Sequence, residues 1–450
     1  MLATRAAALV LATAGALAAC GEAPAPSLLL VSLDTTRRDH LSSYGYRRET
    51  TPALDRLARA GVVFENAFAQ QTNTGPSHAS IFSGLHPHAH GVTHNRVRLR
   101  HDVPVLAEIL RARGWSTGAF VGGSPMRARA TGFERGFARY DDDFPERRRP
   151  ACEVVARARE WLARQRRPWL LFVHLYDAHG PYEPPAPWAT HFPADGPPRR
   201  LTGIPPYQQL ADARGEPIVE LGEYVARYDG AIRYADECLA PLYESAQRED
   251  AVVVVLADHG ESLGERQRPL DHGGAVFDEQ IRIPLVLRAP GLAPARFEAP
   301  VQSVDLLPTL LELLAVPPPQ GLVLHGRSLL PLLRGAAATG ERPVFAMARA
   351  VPERHVDRGY ALDRARSIES VRTSRWKLIR YPGLERDYFE LYDLAADPGE
   401  TRDVSGEQRD VRERLLQELE RWQRGARPAG APPPLDAGAE EQLRSLGYVE

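Results

Sequence analysis

The sequence predicts an α/β fold, with a mostly parallel central sheet flanked by helices and a smaller C-terminal α+β subdomain. Val252 to Leu256 is an unbroken apolar run. Such a run marks a strand buried on both faces, because a strand with one wet face alternates. Ser27 to Leu33 (SLLLVSL) is a second one. After Gly335 the pattern changes to short strands around 367–373, 376–381 and 390–394, then a helix over 409–422. Val411, Leu415, Leu416, Leu419 and Trp422 recur there at helical spacing, which gives that helix one apolar face.

The chain of 450 residues divides into a leader over 1–20, a main domain over 27–335, the subdomain over 340–424 and a Pro/Ala/Gly-rich linker with a tail over 425–450. A net charge of −2 argues against nucleic acid as a partner, and Lys377 is the single lysine. Arg5 precedes an apolar stretch, Ala6 to Ala19, that is too short to span a membrane. With Leu17-Ala18-Ala19-Cys20-Gly21 it resembles a bacterial lipoprotein signal. That resemblance implies an exported protein of the periplasm or outer membrane, held to the membrane by a lipid anchor at Cys20. Cys152 and Cys238 then remain, as one disulfide or two buried thiols.

The first strand delivers Asp34 at its carboxyl end. A helix follows, with Thr51 as N-cap, Pro52 in its first turn and Gly61 just past its end. Residues 71–91 read QTNTGPSHASIFSGLHPHAHG, in which Pro76 to Ser83 is a helix stopped by Gly84. Thr74 and Gly75 therefore sit at a helix N-terminus, where backbone donors face an anion. A threonine hydroxyl there is either a cap or, beside a metal, a nucleophile. The strand 252–257 presents Asp258 and His259 at the edge where open α/β sheets bind ligands, and His272 returns after a polar loop. Both are candidate metal ligands. A Pro-rich insertion over 182–217 is a pocket rim with Tyr182 and Trp188 as apolar contacts, or a surface excursion. A helix over 220–243 leads back to the sheet. His86, His88 and His90 read as structural or rim residues, His174 as a core residue and Lys377 as structural.

The motifs, taken in order, resemble the sulfatase family of the alkaline-phosphatase superfamily. They are Asp34 with Arg37 and Asp39, Thr74 to His78, HLYDAHGP from His174, YDGAIRYAD from Tyr228, DHGESLG from Asp258, RIPLVLRAPG from Arg282, VDLLPTLL from Val304, GRSLL from Gly326 and ELYDLAADPGET from Glu390. The resemblance implies the family's fold and a hydrolase of sulfate or phosphate esters, acting on a small-molecule, glycan or lipid ester. Three positions depart from the pattern. Thr74 stands where sulfatases carry the cysteine or serine that becomes formylglycine, Thr35 replaces a second acid, and His78 replaces an arginine. Threonine in that place resembles the nucleophile of nucleotide phosphodiesterases and phosphoethanolamine transferases.

The expected centre binds one divalent cation through Asp34, Thr74, Asp258 and His259. The imidazole shifts preference from calcium toward zinc or manganese. His78, His179, His272 and the helix N-terminus would meet the oxyanion, and His179 or His272 would protonate the leaving alkoxide. A second metal near Asp177, His179 and His272 is implied by two-metal phosphodiesterases. The rival readings are a phosphoethanolamine-type transferase and a non-catalytic envelope lipoprotein.

Overall fold

A computed structural model describes residues 25–425 apart from residues 96, 268–269, 337–340, 353–354 and 356–357. The expected leader, the anchor at Cys20 and nearly all of the expected linker and tail lie outside the described residues. Eight strands form the main sheet: β1 (Leu28–Leu33), β2 (Val62–Phe64), β3 (Ser116–Val121), β4 (Arg139–Asp141), β5 (Trp169–Leu175), β6 (Val252–Leu256), β7 (Leu285–Arg288) and β8 (Ala295–Phe297). Their spatial order is β8-β2-β7-β6-β1-β5-β3-β4. β6, β1, β5, β3 and β4 run parallel, and β7 is antiparallel to both neighbours.

The apolar runs form the centre because neither face of the sheet is wet. Leu28, Leu30, Val252 and Val254 face one core, while Leu29, Val31, Val253 and Val255 face the other. Each fully buried valine or leucine contributes about 1.5–3 kcal/mol relative to exposure. The layers covering the sheet include α1 (Pro52–Arg59), α2 (Thr74–Ser83), α3 (Ala151–Leu162), α4 (Leu221–Arg248) and α5 (Leu306–Leu313). Leu33 pairs with Leu175, and Ser32 with Leu256, so the carboxyl ends of β1, β5 and β6 finish in line. That shared edge places Asp34 and Asp258 side by side.

Thr51 occupies the N-cap position of α1, but its hydroxyl meets the Asp55 carboxylate instead of a backbone N–H. The free amides of Ala53 and Leu54 donate to Asp236 of α4, at 2.7 and 2.9 Å. α4 runs to Arg248, five residues beyond the expected end, with Pro241 inside it. Cys152 and Cys238 form a disulfide that ties α3 to α4, with Cα atoms 4.8 Å apart.

The subdomain is an antiparallel sheet of β9 (Val344–Arg349), β10 (Ser367–Arg372), β11 (Trp376–Tyr381) and β12 (Tyr388–Asp393), packed on α6 (Arg409–Arg424). β9 was not among the strands expected from the sequence. It joins the subdomain to the main domain, since Met347 N–H donates to Gln70 O and Arg349 N–H to Gly273 O. Lys377 is structural: its buried Nζ lies 2.9 Å from Asp278 and 2.7 Å from Glu400.

Candidate active site

Asp34 extends β1 by one residue, its N–H bonded to Leu175 O at 2.9 Å. Its Oδ2 lies 3.0 Å from His174 Nε2, while Oδ1 is buried without a hydrogen-bond partner. Asp258 has the same division of labour. Oδ1 accepts the N–H groups of Thr35 and His259 at 3.2 and 2.9 Å, and Oδ2 has no partner. The His259 ring bonds Gly260 O through Nδ1 at 2.9 Å. A carbonyl only accepts, so Nδ1 carries the hydrogen, and Nε2, which lies 3.5 Å from Asp258 Oδ2, has no hydrogen-bond partner. Thr74 Oγ1, beside the Asp34 carboxyl, is the fourth buried atom without a partner.

Buried polar atoms are normally satisfied, so atoms on four neighbouring residues without hydrogen-bond partners require an explanation. The ligand atoms of Asp34, Asp258 and His259 lie within 4.8 Å of one another. Burial pushes Asp34 up to about 7. Burial and the neighbouring Asp34 also raise Asp258. For His259 burial alone would lower the pKa, but the two carboxylates outweigh it and raise it. The carboxylates repel each other and the desolvated site is short of positive charge, which a divalent cation would supply. The residues present therefore fit such an ion.

Both ring nitrogens of His78 have partners within the protein. Its Nδ1 donates to Thr74 O at 2.7 Å and its Nε2 meets Ser32 Oγ at 2.9 Å. Burial lowers it to about 4, so it is a neutral brace under the first turn of α2, and its expected contact with an oxyanion is corrected accordingly. Asp177 Oδ1 accepts the Ala151 N–H at the start of α3, while its Oδ2 is buried without a hydrogen-bond partner. Among the described residues, Asp34, Asp258 and His259 are the one group whose ligand atoms converge, and a second ion at Asp177 has no such support.

His179 and His272 do come together, with ring centroids 5.0 Å apart, and His272 is 4.7 Å from the His259 ring. His179 Nδ1 donates to Gly180 O at 2.8 Å, and burial holds its pKa well below the usual value. His272 Nδ1 lies 3.1 Å from Glu261 Oε1, and burial pushes Glu261 up to about 8. Trp188, expected at the pocket rim, instead docks on α4 under the Arg233 guanidinium. Tyr182 is fully buried, with its hydroxyl on Glu261.

Sequence reasoning missed His174, Glu261, Gln208, Tyr176 and Asn95. Tyr176 stacks on His179 at 4.2 Å, and Asn95 Oδ1 accepts the Gly75 N–H at 2.7 Å. His174 carried one signal: with β5 buried throughout, a lone polar residue at its end needs a polar partner.

The sulfatase family model matches residues 26–316, and that of the N-sulphoglucosamine sulphohydrolase C-terminal region matches 272–425. A Delta 4,5-hexuronate-2-O-sulfatase of Bacteroides thetaiotaomicron is 26% identical over 439 residues, covering 86% of this chain and 87% of its own. A multifunctional alkaline phosphatase superfamily protein of Trinickia caryophylli is 27% identical over 398 residues, covering 68% and 77%. The solved structure of a phosphonate monoester hydrolase from Silicibacter pomeroyi shares the fold, with a TM-score of 0.72 at 23% identity over 90% of this chain and 96% of that one. None of these similarities supports the transferase or the non-catalytic reading. With a family match across most of the main domain and another across the C-terminal region, the chain belongs to the sulfatase family of ester hydrolases.

Proposed function

We propose that this chain is a metal-dependent hydrolase of sulfate or phosphate esters that uses Thr74 as a covalent nucleophile, with phosphate esters preferred. The carrying observation is the set of four buried, unpartnered atoms: Asp34 Oδ1, Thr74 Oγ1, Asp258 Oδ2 and His259 Nε2. Two carboxylates, a hydroxyl and an imidazole suit zinc or manganese better than calcium. These four residues would hold the ion, which when bound lowers the pKa of the hydroxyl and draws charge from the ester oxygens.

Threonine favours phosphate because it cannot become the formylglycine that sulfatases of the usual pattern use. The Thr74 hydroxyl gives up its proton to solvent and Oγ1 bonds to the phosphorus as the bond to the alcohol oxygen breaks, that oxygen leaving with the electron pair and taking a proton from His272 Nε2. The N-terminus of α2 points its dipole at the charged phosphoryl group. His272 is the better proton donor: burial holds the His179 pKa well below the usual value, so it stays neutral with its hydrogen on Gly180 O, whereas the Glu261 carboxyl beside His272 Nδ1 favours the imidazolium. Water then attacks the threonyl ester, releasing phosphate and restoring Thr74. The substrate class is a small-molecule, glycan or lipid ester, in keeping with the hexuronate sulfatase among the relatives. Export as a lipoprotein through Cys20 completes the reading, and the Cys152–Cys238 disulfide supports an oxidising compartment.

The test uses protein lacking the first 20 residues, loaded in turn with zinc, manganese and calcium. It is assayed on 4-nitrophenyl phosphate, bis(4-nitrophenyl) phosphate and 4-nitrophenyl sulfate. Phosphoester turnover that falls at least about 1,000-fold in Thr74→Ala is expected. Sulfate turnover that survives in Thr74→Ala would sink the nucleophile assignment.

A further inference from the structure

We infer that Glu261 is the positioning residue for His272, and that the insertion beginning at Tyr182 holds Glu261 in place. The inference rests on the reading of His272 as proton donor. Glu261 is wholly buried, and each of its carboxylate oxygens has a different task. Oε1 meets His272 Nδ1 at 3.1 Å. Oε2 accepts from the Tyr182 hydroxyl at 3.2 Å and from Gln208 Nε2 at 3.4 Å. The Gln208 amide also donates to Leu270 O at 3.1 Å, two residues before His272, so one side chain secures both the carboxylate and the loop that carries the imidazole. Arg37 fixes the same residue from behind, donating to the Glu261 carbonyl at 3.1 Å.

A carboxylate on one ring nitrogen sets the orientation of an imidazole and decides what the other nitrogen presents. Nδ1 of His272 is turned to Glu261, so Nε2 lies on the opposite side of the ring. His272 starts as the imidazolium: Nε2 gives its hydrogen to the leaving oxygen, whose electron pair from the broken ester bond takes it up, and a neutral ring remains with Nδ1–H on Glu261. Glu261 keeps its bond to Nδ1 and exchanges nothing with the substrate.

The insertion is built around this contact. A Cβ at Gly180 would fall 1.8 Å from Gln208 Oε1, so only glycine beside His179 lets the Gln208 side chain reach its place. Tyr182 has no exposed surface with which to touch a substrate. A buried acid with three side-chain partners is an expensive way merely to fill space, since apolar residues of that volume pack as well or better.

The test compares 4-nitrophenyl esters, whose phenolate leaves without a proton, with benzyl esters, whose alkoxide needs one. Glu261→Met is expected to lower kcat on the benzyl ester about 100-fold and on the 4-nitrophenyl ester less than about 3-fold. Glu261→Gln keeps an acceptor for Nδ1–H and is expected to restore most of the benzyl activity. Equal losses on both esters in a variant that melts normally would overturn the inference. If Glu261→Met does not fold, Gly180→Ala and Gln208→Leu carry the test, with a smaller benzyl-selective loss expected and an unselective one overturning it. His272→Ala separates the two readings. No leaving-group selectivity there refutes His272 as donor, whereas selectivity there without any in the Glu261 variants refutes only the role given to Glu261.

Discussion

Asp34 and Asp258 each give one oxygen to the protein and keep the other bare. The oxygen that is held matters as much as the one that is offered. His174 fixes Asp34 through Oδ2, so His174→Ala is expected to weaken metal binding about 10–100-fold, read by competition with a chelator, while kcat at saturating metal changes little. Thr74→Ser retains a hydroxyl on Cβ and is expected to keep activity within about 100-fold of the wild type, against a near-complete loss in Thr74→Ala. Kinetics on 4-nitrophenyl phosphate would show the difference. The residues of the proposed metal set were legible because Asp34, Asp258 and His259 follow apolar runs and Thr74 opens a helix. His174 was not, since a histidine within an apolar strand reads as core until its partner is seen across the sheet. His78 misled for a related reason: its place in the motif is the family's arginine, but its ring turns inward to Ser32 and Thr74.

At the scale of elements, two carboxylates cap helices that lie far from them in sequence. Asp236 of α4 takes the first amides of α1, and Asp177 takes the Ala151 amide of α3. Asp236→Ala is expected to cost about 1–2 kcal/mol in urea unfolding, because it strips a cap from α1. The Cys152–Cys238 bond clips α3 to α4 across 86 residues. Replacing both cysteines by alanine is expected to lower stability by about 2–5 kcal/mol, with activity at low temperature retained. The start of α1 was legible from Thr51 and Pro52. What capped it was not, because a helix N-terminus can be satisfied by any acid the fold brings near, and local sequence names only the nearest hydroxyl. β9 escaped notice because VFAMAR neither alternates cleanly nor forms a long apolar run.

At the scale of the whole molecule, the two parts are joined by charge as well as by the backbone of β9. Burial alone would raise Asp278, but Lys377 and Arg372 outweigh it and hold its carboxyl well below the usual range. Lys377→Met removes the buried cation that joins Asp278 to Glu400, leaving Arg372 on the one and Arg266 on the other, and is expected to destabilise the protein by about 2–4 kcal/mol, measured by thermal unfolding. The sign of the pH effect follows from the depressed value. Asp278 contributes fully above about pH 4, where an unfolded chain would also be ionised, and its contribution fades as pH falls toward the native value. Wild-type protein should therefore lose stability on acidification below about pH 4 more steeply than Lys377→Met, as melting curves between pH 2.5 and about 5 would show. The overall architecture was legible because apolar runs and glycine stops are local signals. This seam was not, since it pairs a lysine on one strand with acids about 100 positions before it and just over 20 after it. The proposed metal set has a similar spread: Asp34 and His259 are more than two hundred positions apart and meet only where β1 and β6 lie side by side. A chain made from its N-terminus shows Asp34 and Thr74 to its surroundings long before His259 exists. On the proposed reading its four ligands are complete only once β1 and β6 lie side by side, so uptake of the ion would report that the main sheet has closed.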